Sequence, residues 1–156
     1  MAMEPNPELH PALTLAGQAP VLHAFGDEAH ILISGDQTGG KYAMILEVTP
    51  PGGGPPPHWH DNEDETFFVL EGRASFLANG EWTEVPPGTA AFLPKGSIHT
   101  FKNVGNTPLK MIVQVAPAGF DVFFTKCAAE SSKPGGPDMA QIMATASAHG
   151  IHFVLP

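Results

Sequence analysis

Three histidines and a run of carboxylates give this sequence its candidate chemistry. His58 and His60 flank a single residue, so on a strand their imidazoles point to the same face and can share a cation. Residues 61–65 are rich in carboxylates, and His99 follows His60 by 39 positions. Imidazoles and a carboxylate together suit a divalent first-row metal, and four such ligands on an octahedral ion leave two positions open. The pattern predicts a metal centre with room for water, dioxygen or a chelating substrate.

An isolated pair of histidines with this spacing is more often a solvated loop feature than a ligand pair. The surrounding glycines and prolines favour the ligand interpretation. Gly52 stands six residues before His58, and Gly72 follows Glu65 after six intervening residues. A second series has spacings of six, two, three and four residues, and consists of Gly88, Pro94, Gly96, His99 and Asn103.

These residues resemble the two motifs of the cupin family. The first motif is matched by Gly52, His58, His60, Glu65 and Gly72, and the second by the series from Gly88 to Asn103. The likeness covers about residues 52–103, and its flanking strands extend it to about 40–116. It implies a double-stranded β-helix, or jelly-roll barrel, with His58, His60, Glu65 and His99 as metal ligands. The neighbouring Glu63 and Asp64 are then expected to face water or to hold a histidine in one tautomer.

Turn residues divide the chain into many short strands, as the 17 glycines and 17 prolines among 156 residues suggest. Strands are predicted at 21–25, 29–34, 41–49, 64–71, 74–78, 81–85, 90–93, 98–103 and 109–116. Asn79-Gly80 favours a two-residue hairpin turn, and the Pro-rich residues 50–57 must form a loop. Helices are predicted at 118–130 and 139–148, followed by an extended segment at 151–155. The predicted class is all-β, with short C-terminal helices.

Three parts are expected along the chain. Residues 1–34 are predicted to form an N-terminal arm and dimerisation strands, residues 35–116 the barrel, and residues 117–156 a C-terminal helical extension. Exposed strand edges and the free arm predict a homodimer with arm or strand exchange. The C-terminal segment around His152 could fold over the barrel mouth.

Alternation along the strands, with the histidines facing inward, predicts which side chains line a substrate pocket. They are Tyr42, Met44, Leu46, Phe67, Val69, Phe101, Met111, Val113 and Phe120. For at least half of them the alternative is a packed apolar core. Such a wall suits a flat organic substrate better than a sugar phosphate, because the pattern places no lysine or arginine inward.

The C-terminal part also resembles single-domain cupins of the quercetin-dioxygenase-like kind. That resemblance implies a dioxygenase for a small aromatic or enol(ate) substrate, with Glu65 as a base if its metal bond loosens. The alternatives are a cupin that only binds or senses a small ligand, and a metal-assisted isomerase or lyase. Imidazole and carboxylate serve iron, manganese, nickel, copper and zinc alike, so the metal is not specified.

Charge and the opening residues predict the partners. A net charge of −9 with seven scattered Lys and Arg argues against nucleic acid. The first 20 residues lack a basic, apolar leader, and no stretch has the length of a membrane span, so no membrane contact is expected. The single Cys127 fits a reducing compartment, and we expect a cytoplasmic protein that binds a small molecule.

Overall fold

The computed structural model describes residues 8–155, in which eleven strands and two helices form. Residues 1–7 of the predicted arm, and Pro156, lie outside the described residues. The strands are β1 (Val21–Ala24), β2 (Asp27–Ile33), β3 (Ala43–Thr49), β4 (His58–His60), β5 (Asp64–Glu71), β6 (Ala74–Ala78), β7 (Glu81–Val85), β8 (Ala90–Leu93), β9 (Thr100–Asn103), β10 (Leu109–Ala116) and β11 (Ile151–Phe153). The helices are α1 (Phe120–Ser131) and α2 (Met139–Ala148).

Two antiparallel layers enclose the core. One layer is a six-stranded sheet in the order β1-β2-β3-β10-β5-β8. The other consists of β7-β6-β9 and β11-β4, which a bridge between His58 and His99 connects. Side chains from both layers, such as Val69, Phe76 and Met111, pack in one buried cluster. This is the predicted double-stranded β-helix.

Turn chemistry sets the strand boundaries. Asn79 and Gly80 have φ angles of 54° and 77°, as a type I′ hairpin requires, and they join β6 directly to β7. Gly72 has a φ of 90°, and a Cβ there would lie 2.9 Å from the carbonyl oxygen of Pro108. Only glycine meets both conditions, which explains this motif position.

The helices cover the part of the large sheet that the second layer leaves open. α1 packs on β1 and β3, and its Phe123 and Phe124 lie in a buried cluster with Ile45 and Ile142. α2 begins at the predicted residue, where the Asp138 side chain accepts hydrogen bonds from two backbone N–H groups. Neither helix is long and apolar enough to cross a membrane in the described part of the chain.

The structure corrects the predicted orientation of β3. Its buried face carries Ala43, Ile45, Glu47 and Thr49, so the prediction that Met44 and Leu46 point inward was wrong. Both lie half-buried on the other face, and Tyr42 precedes the strand. Two of the inward residues are polar, whereas the outward ones are apolar. Hydrophobicity alone therefore indicated the wrong face.

Candidate metal centre

The short strand β4 places two of the predicted ligands. His58 and His60 point inward and are buried, while Trp59 between them is half-buried on the other side. One edge of β4 pairs with β11. On the other edge, the His58 N–H donates to the His99 carbonyl at 3.0 Å, and the His99 N–H donates to the His58 carbonyl at 2.9 Å. Backbone pairing thus brings His99 beside His58.

The four predicted ligands converge. One ligand atom each from His58, His60, Glu65 and His99 lies within 4.8 Å of all the others, and all four residues are buried. Ligands on opposite sides of an ion with bonds of about 2.1 Å are about 4 Å apart, so the cluster has the size that such an ion needs. Glu65 comes from the large sheet and the histidines from the other layer.

Backbone carbonyls orient two of the imidazoles. His58 Nδ1 lies 2.9 Å from the carbonyl oxygen of Pro56, and His99 Nδ1 lies 2.9 Å from that of Ser97. A carbonyl only accepts, so each Nδ1 carries a hydrogen, and each Nε2 is the ring nitrogen that points into the cluster. Burial lowers the pKa of His58 to about 4, which keeps this ring neutral.

A carboxylate orients the third imidazole. His60 Nδ1 lies 3.2 Å from Glu63 Oε2. This contact matches one of the two roles predicted for Glu63, which is to hold a histidine. Burial alone would lower the pKa of His60, but the hydrogen bonds and charges of Glu63 and Glu65 outweigh it and raise the pKa to about 9. His60 Nε2 is 3.2 Å from Glu65 Oε2, yet it is a buried atom without an aligned hydrogen-bond partner. A bound ion would replace the proton on this Nε2, because a metal binds only the deprotonated nitrogen.

Glu65 supplies the anionic ligand. Its Oε2 lies 2.6 Å from His99 Nε2. Burial would raise the pKa of Glu65, but the hydrogen bonds and charges of His60 and His99 outweigh it and hold the pKa well below its usual range. The carboxylate is therefore ionised. The three imidazoles and the carboxylate provide four protein ligands, and the Nε2 of His60 has no aligned partner among the described residues. This set of ligands fits a divalent transition metal.

The cluster borders a cavity of about 420 Å³. Its walls include three of the predicted pocket residues, Phe67, Phe101 and Phe120. Three others, Val69, Met111 and Val113, are buried in the barrel core instead. Lysine and arginine are absent from the described residues that line the cavity.

The C-terminal segment also contributes to the cavity. Ile151, Phe153 and Leu155 lie among its lining residues. His152 faces the other way, where it stacks on Trp59 with ring centroids 4.8 Å apart and its Nε2 lies 2.7 Å from Asp61 Oδ2. These two contacts hold the C-terminal segment against β4 and the residue that follows it. His152 belongs to no ligand cluster found among the described residues.

Sequence reasoning missed two polar residues of the cavity, Asp27 and Glu47. Asp27 begins β2 after a turn, and Glu47 lies among apolar residues of β3. A carboxylate inside an otherwise apolar strand was the available signal, but the predicted orientation of β3 placed Glu47 outside.

Comparison with known proteins gives a family for this architecture. Residues 45–115 match the cupin domain family. The structure of KdgF from Halomonas sp. aligns with a TM-score of 0.64 and 17% identity, over 71% of this chain and 99% of that one. At that identity the likeness concerns the fold.

Two curated relatives are similar over part of their length. Quercetin 2,3-dioxygenase of Bacillus subtilis is 26% identical over 100 residues, which are 64% of this chain and 29% of the relative. Tetracenomycin polyketide synthase protein TcmJ of Streptomyces glaucescens is 25% identical over 96 residues, which are 61% of this chain and 64% of the relative. The chain thus spans less than two thirds of either relative. The chain is therefore similar to the cupin domain family over residues 45–115, which contain all four residues of the ligand cluster.

Proposed function

We propose that this chain is a metal-dependent dioxygenase for a small aromatic or enol(ate) substrate that chelates a divalent metal. The observation that carries the proposal is the position of the ligand cluster, which is buried and borders a cavity walled by phenyl rings. Four protein ligands leave positions open on a six-coordinate ion, as a catalytic site needs and a structural site does not.

The side chains have separate roles in this proposal. His58, His60, Glu65 and His99 would hold the ion, which supplies Lewis-acid and dioxygen chemistry when bound. Phe67, Phe101 and Phe120 would orient a flat substrate and exclude water.

Glu65 has a second predicted role as a base for a substrate hydroxyl proton. Its carboxylate is ionised, as a base must be. Because Oε2 contacts His99 at 2.6 Å, accepting a proton requires this carboxylate to loosen its present contacts.

The substrate class is supported by the lining and by the relatives. A wall of phenyl rings, with no lysine or arginine among the described lining residues, favours an uncharged aromatic molecule over a sugar phosphate. The names of the two curated relatives refer to quercetin and to a polyketide.

The test is oxygen consumption by defined metal forms. Metal content is first measured on protein purified without added metal. Metal-free protein is then loaded separately with Fe(II), Mn(II), Ni(II) or Zn(II) and supplied with flavonols and catechols. We expect oxygen uptake in at least one redox-active form and none with His99→Ala, which lacks one ligand.

The alternatives predict different results in the same experiment. A cupin that only binds its ligand would change the absorbance of the bound flavonol and consume no oxygen with any metal. An isomerase or lyase would convert substrate without oxygen, which product analysis under nitrogen detects. Either result would overturn the dioxygenase proposal.

A further inference from the structure

Two buried carboxyl groups face the cavity away from the ligand cluster. Asp27 and Glu47 are only 6% and 8% exposed, and both line the same cavity as His58 and Glu65. Val115 of β10 pairs with Glu65 on one side and with Ala43 of β3 on the other. Glu47 lies four residues after Ala43 on β3, and so away from Glu65 along the sheet. Glu28 pairs with Val48, which places Asp27 at the level of Thr49. The carboxyl pair therefore occupies a second region of the cavity.

Burial and mutual contact oppose the ionisation of Glu47 more strongly than that of Asp27. Burial raises the pKa of Glu47 well above its usual value, and the charge of Asp27 and the hydrogen bond between them raise it further. Burial also raises the pKa of Asp27, while contacts with Glu47 and with Thr49 oppose that rise. Two carboxyl groups in hydrogen-bond contact cannot both be ionised, so Glu47 holds the proton and donates to Asp27.

Hydrogen-bonding capacity is left over at this pair. Asp27 Oδ1 is a buried acceptor without an aligned hydrogen-bond partner among the described residues. The Thr49 hydroxyl, on the same face of β3, lies close enough to lower the pKa of Asp27, but in the described part of the chain it has no aligned acceptor. A buried acceptor without an aligned partner is unfavourable, so a ligand hydroxyl that reaches it would improve the hydrogen bonding of this pair.

A turn with an uncommon backbone conformation precedes Asp27 and fixes the position of this residue. Phe25 has a φ of 57°, a left-handed conformation that is uncommon outside glycine. Its ring packs against Phe123 and Phe124, with centroids 6.2 and 5.9 Å away. Backbone strain of this kind is kept where the surrounding structure enforces it, often at ligand sites.

We propose that Asp27 and Glu47 form a second recognition point in the cavity, at which Asp27 Oδ1 accepts a hydrogen bond from a hydroxyl group of the substrate. The substrate class is then a flat aromatic molecule with chelating oxygens at one end and a hydroxyl group at the other. The proposal rests on the proposed function only for the chelating end. The phenyl rings that line the same cavity would contact the aromatic part of the molecule.

The experiment measures binding rather than turnover. Three flavonols serve as probes: the parent compound, a derivative hydroxylated on the ring remote from the chelating oxygens, and the matching methoxy derivative, which cannot donate. Their affinities are measured by absorbance titration of protein loaded with Zn(II). We expect the hydroxylated probe to bind about tenfold or more tightly than the methoxy probe, a difference of about 1.4 kcal/mol.

Variants assign that preference to the carboxyl pair. Glu47→Leu and Asp27→Ala should each reduce the preference to about twofold or less, while the exposed Glu71→Gln should keep it. An equal affinity of the wild-type protein for the two probes would overturn the proposal without any variant. An unchanged preference in a folded Asp27→Ala protein, which lacks the acceptor, would also overturn it.

The same titrations separate this proposal from the dioxygenase proposal. If no metal form consumes oxygen but the hydroxyl preference depends on Asp27, the recognition point stands and the dioxygenase activity does not. If oxygen uptake occurs and the preference is absent, the recognition point is wrong and the activity stands.

Discussion

Each histidine of the ligand cluster is fixed by a partner outside the cluster. Pro56 O, Glu63 Oε2 and Ser97 O contact the Nδ1 atoms of His58, His60 and His99, respectively. The three Nε2 atoms therefore face one point before any ion arrives. Such outer partners orient the rings and contribute to metal affinity.

Glu63→Gln tests this orientation at His60. The substitution removes the charge that holds Nδ1 at 3.2 Å, and an amide can present its NH2 group instead of an acceptor. We expect the affinity for Zn(II) at neutral pH to fall about 10- to 100-fold, measured by competition with a chelating dye. Glu71→Gln, on the exposed end of β5, is the matched control and should bind like the wild type. Equal affinities of the two variants would contradict the role assigned to Glu63.

Glu47→Gln tests the buried proton through stability. The pKa of Glu47 is raised in the folded protein, so the unfolded chain loses this proton at lower pH than the folded chain does. Wild-type stability should therefore fall as the pH rises above about 4.5, by at most about 1.4 kcal/mol per pH unit for one proton. Glutamine cannot ionise, and the variant should gain stability relative to the wild type as the pH increases.

The measurement is urea unfolding of metal-free protein at several pH values. Asp27, whose pKa is also raised, stays in both proteins, and Glu65 and the Thr49 hydroxyl face the same region. The difference between the two proteins therefore reports the titration of Glu47 together with the change that its replacement causes at Asp27. A constant difference across pH 5–8 would show that Glu47 ionises normally.

The ligands could be predicted from the sequence, but the carboxyl pair could not. His58, His60, Glu65 and His99 stand at fixed distances from glycines and a proline whose turns the fold requires. Asp27 and Glu47 have no such neighbours, and their proximity arises from the pairing of β2 with β3. Long-range pairing of this kind leaves no local pattern.

Among the elements, strand positions could be predicted far better than strand faces. β5, β6, β7, β8 and β10 begin and end at the predicted residues, because turn residues bound each of them. The face of β3 could not be predicted, since apolar side chains occupy both sides. In a strand that is covered on both faces, alternation no longer marks the inside.

β11 is the element that completes the support of β4. Ile151 is 4% exposed and pairs with His60, so this short strand holds the backbone that carries two ligands. Ile151→Ala should destabilise the protein by about 2–5 kcal/mol and accelerate metal loss to a chelator. Urea unfolding and chelator-induced release of Zn(II) measure the two effects.

Val154→Ala is the control for the β11 experiment. Val154 is 40% exposed, and its backbone N–H still donates to the carbonyl oxygen of Pro57 after the substitution. We expect a loss of about 0.5 kcal/mol or less, as at other exposed sites, with unchanged metal release. Similar metal release from both variants would show that β11 does not support the cluster.

At the scale of the whole molecule, the cavity belongs to no single layer. The histidines come from one layer, Glu65 and Glu47 come from the other, and phenyl rings of α1 form another part of the wall. Because the β-helix brings these parts together, a change that separates the layers removes the ligand cluster and the carboxyl pair at the same time.

Assembly remains a prediction at this scale. We expect a homodimer in which arm residues contact a second copy, since Leu13 and Leu15 are 89% and 59% exposed. Light scattering at micromolar concentration should give twice the chain mass of 16.4 kDa. The double variant Leu13→Ser, Leu15→Ser should shift the mass towards the monomer, whereas Val122→Ser on α1 should not. A monomeric wild-type protein would contradict the prediction.

The reciprocal backbone bonds between His58 and His99 have a consequence for biosynthesis. A nascent chain on the ribosome that ends before residue 99 presents the first two imidazoles on a strand with neither neighbour in place. Translation must therefore proceed well beyond the first motif before an ion meets a finished coordination sphere. The complete cluster forms only when the barrel closes, so an ion held by all four side chains would bind after folding and not before it.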